Sequence, residues 1–79
     1  MSSKSSEKLK SMFLMFKKAI DAERDAQALY KEIISVCEDK YLCVLFEGFH
    51  NDEVKHEKAI MAQYNQMRKL YPDIDFSNA

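Results

Sequence analysis

Glu53 and His56 stand three residues apart in the run His50-Asn51-Asp52-Glu53-Val54-Lys55-His56, and Glu23 lies thirty residues before Glu53. On a helix, positions i and i+3 share a face, so a carboxylate and an imidazole can reach one cation from a single helix. Carboxylate oxygens with one imidazole suit Fe(II) or Mn(II), and Zn(II) is also accommodated. Open positions on such a metal would serve redox chemistry, either oxidation of Fe(II) or reduction of peroxide. The spacing alone is weak, because the chain has 13 Asp and Glu among its 79 residues. The elements that carry the three residues decide its weight.

From Leu9 onward the apolar residues recur at helical steps. Leu9, Met12, Phe13, Phe16, Ala19, Ile20, Ala26, Tyr30, Ile33 and Cys37 form one stripe, and Glu23 falls inside it. Leu42, Leu45, Phe46, Phe49, Ile60, Tyr64, Met67 and Leu70 form a second, interrupted by Glu53 and His56. A charged group on a core face needs a partner. The spacing predicts a lead over 1–6, with Ser5 or Ser6 as N-cap, a helix over 7–38, a second over 40–71, and a tail over 72–79. Asp39 can cap the second helix, Pro72 ends it, and Arg68 and Lys69 suit its negative C-terminal end. Gly48 inside that helix costs about 1 kcal/mol relative to Ala, explained either by close approach of a neighbouring backbone or by simple tolerance. In an antiparallel hairpin, residues equidistant from the turn lie level. The midpoints between Glu23 and Glu53 or His56 fall at about 38 and 39.5, where the turn is expected.

Composition fits this reading and excludes others. Hydrophobic residues make up 47% and charged residues 32%, with one Gly and one Pro, as expected of an all-α chain with few turns. A net charge of −1 with both signs interspersed gives no basic stripe for nucleic acid. No apolar run approaches the roughly 20 residues of a membrane span, and the polar start lacks the core of a signal peptide, so the expectation is a soluble cytoplasmic protein. Cys37 and Cys43 match neither a zinc ribbon nor a Cys-x-x-Cys motif and read as small buried hydrophobes, with a disulfide as the lesser alternative. His50 falls off the ligand stripe and reads as a surface residue, while Asp52 and Glu57 flank the motif without joining it. Met12, Phe13, Met15 and Phe16 form a dense apolar cluster that suits a core or a subunit interface.

A two-helix rod leaves one apolar side uncovered, and a second copy can cover it. Bundles that hold paired iron or manganese take one Glu from each of two helices and a Glu-x-x-His from each of the other two. This chain carries one such set. A homodimer, or a higher homo-oligomer, would supply Glu23, Glu53 and His56 twice and complete a four-helix bundle around two cations.

Ala22-Glu23-Arg24-Asp25-Ala26-Gln27-Ala28-Leu29-Tyr30 and Phe46-Glu47-Gly48-Phe49-His50-Asn51-Asp52-Glu53-Val54-Lys55-His56-Glu57 resemble the motif helices of the rubrerythrin branch of the ferritin-like superfamily. The resemblance extends to about Met67, and its layout is most similar to encapsulated ferritins and short rubrerythrin-like proteins. It implies a di-iron site with Glu23 as terminal ligand, Glu53 as bridging ligand and His56 as the imidazole. Tyr30 would hydrogen-bond to the ligands. It also implies ferroxidase or peroxidase-like activity and raises an encapsulating protein shell as a partner. Asp25 matches one of the acidic metal-uptake positions of encapsulated ferritins and Ala22 departs from the other. The rubredoxin-like cysteine cluster is missing, and Asp73 to Ala79 does not resemble an encapsulation peptide. Two further readings of the residues stay open: a helical interaction module whose polar core residues fix pairing register, and a metal buffer without turnover.

Overall fold

The computed structural model describes residues 3–73, with side chains from Glu7 onward. The architecture is all-helical, with α1 spanning Ser3–Val36, α2 spanning Lys40–Leu70 and no strand among the described residues. The two helices form a rod 58 Å long and 17 by 16 Å across.

The first helix begins earlier than the sequence suggests. Ser5 and Ser6 lie inside it, because serine is only a mildly poor helix former and Ser3 to Leu9 contains no residue that breaks the backbone ladder. Of the expected lead over 1–6, residues 1 and 2 lie outside the described chain, as do 74–79 of the expected tail. The helix also stops at Val36, short of the expected 38, and Cys37 N–H bonds to the Ile34 carbonyl at 3.4 Å as the chain turns. Asp39 caps α2 as expected: its Oδ1 accepts from Leu42 N–H at 3.0 Å. At the far end Tyr71 N–H reaches the Met67 carbonyl, Arg68 and Lys69 occupy the last turn, and Pro72 follows.

The helices meet along a seam of alternating three- and four-residue steps, the period of 3.5 that keeps two helices in register. In α1 it runs Leu9, Phe13, Phe16, Ile20, Glu23, Gln27, Tyr30 and Ile34, continuing to Cys37 just past the helix end; in α2, Cys43, Phe46, His50, Glu53, Glu57, Ile60, Tyr64 and Met67, all buried or half-buried. Residues early in α1 face residues late in α2: Phe13 meets Tyr64 edge-on at 5.5 Å between ring centroids, with Phe16 joining, while Tyr30 meets Phe46 at 5.9 Å and Phe49 at 5.8 Å. These aromatic clusters bracket a polar middle. Phe13 is fully buried and Ile20 nearly so, and each such burial contributes about 2 kcal/mol.

The seam departs from the expected stripe in α2, where Leu42, Phe49 and Leu70 are exposed. With His56 and Gln63 they recur at intervals of seven and form one flank of α2. On α1 the flank of the same side carries Met12, Ala19, Ala26 and Ile33, so this side of the rod is largely apolar. Of the apolar cluster at the start of α1, Phe13 enters the core, whereas Met12 and Met15 are exposed.

Cys37 and Cys43 are joined by a disulfide with Cα atoms 5.8 Å apart, contrary to the expectation of separate buried thiols. They lie across the break between helices, not within one, and the chain reversal brings them together. Gly48 faces open space, since a Cβ added there would meet nothing within 4 Å. Close approach by the backbone of α1 is therefore not its reason.

Candidate metal centre

Glu23 comes from α1, and Glu53 and His56 from successive turns of α2. His56 Nδ1 lies 3.6 Å from Glu23 Oε2 and 3.6 Å from Glu53 Oε2. One donor atom from each residue falls within 4.8 Å of the others. At 3.6 Å these are not good hydrogen bonds. Donor atoms around one first-row cation sit roughly 3 to 4 Å apart, so a small inward rotation of the side chains would suffice to hold one.

Charge and burial point the same way. Both carboxylate side chains are only 21% exposed, and the same imidazole, His56, faces each of them. Glu23 Oε2 is buried without a hydrogen-bond partner, an arrangement that costs about 1–3 kcal/mol or more unless something fills it. A divalent cation fits this donor set: it would satisfy the orphaned oxygen and balance two adjacent carboxylates.

The group is one-sided. His56 is 58% exposed and stands on the same flank of α2 as Leu42, Phe49 and Leu70, so the donors open onto the apolar side of the rod. The reverse side is closed by Glu57, whose Oε2 accepts from Arg24 Nε at 2.9 Å and whose Oε1 accepts from Gln27 Nε2 at 2.7 Å. The bonds to Gln27 and Arg24 hold the Glu57 carboxyl below the usual glutamate range. A shallow pocket of about 180 Å³ lies further along this reverse side, lined by Lys17, Ile20, Asp21, Arg24, Met61 and Tyr64.

Three further seam residues bear on this group. Tyr30 lies two turns from Glu23, and its described contacts are ring contacts with Phe46 and Phe49. His50 is half-buried on the seam, and its Nε2 is buried without a partner, so it is not a surface residue. Glu57 is tied into the seam by its bonds to Arg24 and Gln27. The sequence carries the signal for both: continuing the 3.5-residue period from Cys43 and Phe46 places His50, Glu53 and Glu57 inward and sets His56 on the flank.

Residues 2–70 match the sequence profile of a family described as Ferritin-like domain. No curated protein and no solved structure gives a significant match.

Proposed function

We propose, from the premise that this chain belongs to the ferritin-like domain family, that it binds iron through Glu23, Glu53 and His56 and oxidises Fe(II) or reduces peroxide at a site shared between two copies. The observation that carries this is the gathering of the three donors, one of which, Glu23, has a buried carboxylate oxygen with no hydrogen-bond partner. The finer likeness, to the rubrerythrin branch and to encapsulated half-site proteins, rests on Glu23, Tyr30 and Glu53-x-x-His56 as they stand in the sequence.

The contact order of the helices supports an antiparallel hairpin, and the apolar side onto which the donors open supports a second hairpin packed there. Related by a two-fold axis through the donors, the copies would bring Glu23, Glu53 and His56 together twice. Bound metal would supply electron transfer to oxygen or peroxide. The chain's own part is to hold two hard oxygens and one imidazole per cation, to exclude bulk water with the aromatic clusters on either side, and to neutralise the cations with paired carboxylates. Mn(II) and Zn(II) are compatible with the donors, and Fe(II) is the choice that makes the site a redox centre.

The test is anaerobic equilibrium dialysis against Fe(II), followed by air and measurement of the Fe(II) remaining. The expectation is about one metal per chain and oxidation faster than in buffer, both lost in Glu23→Ala and His56→Ala. Metal bound without faster oxidation or peroxide loss would leave a buffer. No metal bound, with stability and oligomeric state indifferent to both substitutions, would leave an interaction module.

A further inference from the structure

Two cross-helix side-chain hydrogen bonds tie Glu57 to α1, and they fall at the height of the candidate metal centre. The residues involved are sequence neighbours of the donors: Arg24 follows Glu23, and Glu57 follows His56. Yet they lie on the other side of the seam. The donors open toward the apolar side, while Glu57, Arg24 and Gln27 close the back. A seam position occupied by glutamate is unusual in an otherwise apolar interface, where leucine or isoleucine would add packing and no desolvation cost.

Apolar seam contacts are tolerant of small rotations and slides, because dispersion and burial carry little direction. Two charge-assisted or close hydrogen bonds from one carboxylate to two residues a turn apart on the facing helix fix both rotation and height. We propose that Glu57 is a positioning residue, a strap behind the metal centre that uses Arg24 and Gln27 to hold α1 so that Glu23 faces Glu53 and His56. This rests on the metal-binding reading above. The same bonds direct the Glu57 carboxylate away from the donors, so that a third acid beside the site does not compete for the cation.

The strap separates two quantities that usually move together. In Glu57→Leu the seam gains an apolar residue, so the metal-free protein should melt no lower than the parent. Its anaerobic Fe(II) Kd should nevertheless weaken by about tenfold or more, the loss typical when a residue that orients a ligand is removed. Glu57→Gln keeps an oxygen to accept from Gln27 and should recover part of that affinity. Each chain is titrated with Fe(II) alone, and the metal-free Tm is measured in parallel. An unchanged Kd in Glu57→Leu, or losses that track a lower metal-free Tm in both variants, would overturn the strap while leaving the metal site intact. If the leucine variant does not fold, Glu57→Gln decides by the same comparison. A parent chain that takes up no Fe(II) fails the metal-binding reading itself, and the strap falls with it.

Discussion

Single residues set the electrostatic character of this rod, and Glu57 gives the clearest consequence. Its carboxyl is held below the usual glutamate range by Gln27 and Arg24, so folding favours the ionised form. The resulting stability is fully present above the ordinary glutamate range and disappears as pH falls through the lowered folded value. Acid titration of the metal-free protein should therefore show a loss of Tm on that limb that is smaller in Glu57→Gln. Equal limbs in the two chains would contradict it. The grouping of Glu23, Glu53 and His56 was legible from identity and spacing, because a carboxylate inside an apolar stripe stands out. His50 and Glu57 were not, since a stripe drawn through Leu42, Phe49 and Leu70 runs one position off the seam that packing selects. Tyr30 packs its ring against Phe46 and Phe49, as an aromatic residue on an apolar stripe does.

Elements were easier to read than their ends. Two helices, the Asp39 cap and the stop before Pro72 follow from local chemistry that acts within a few residues, whereas the start of α1 lacks any residue that forbids helix and so could not be placed. Gly48 illustrates a local penalty with no compensating contact. Gly48→Ala should stabilise α2 by about 1 kcal/mol, visible as a raised Tm or urea midpoint, because the added methyl meets open space. The disulfide was the lesser alternative because the spacing of the two cysteines matches no redox or metal motif, although the expected turn already lay between Cys37 and Cys43. Closing so short a loop restricts the unfolded chain modestly, so reduction of Cys37–Cys43 should cost about 2 kcal/mol. Thermal melts with and without a reductant, beside Cys37→Ser/Cys43→Ser, measure this; identical curves would show that the turn holds itself.

At the scale of the whole molecule, the exposed line of Leu42, Phe49 and Leu70 beside His56 is more apolar surface than a solitary 79-residue rod is expected to leave in water. Dilution until the chain is monomeric should weaken metal binding along with association, and Phe49→Lys should do both at concentrations where the parent is assembled. Sedimentation with metal analysis across a dilution series checks this; full metal content in a proven monomer would contradict a shared site. The one-sidedness of the donor group also bears on heredity. If every centre draws from two polypeptides, a cell making equal amounts of intact and His56→Ala chains builds intact pairs in only roughly a quarter of its assemblies. A single faulty copy would then poison its healthy counterpart, and the defect would behave as dominant instead of recessive.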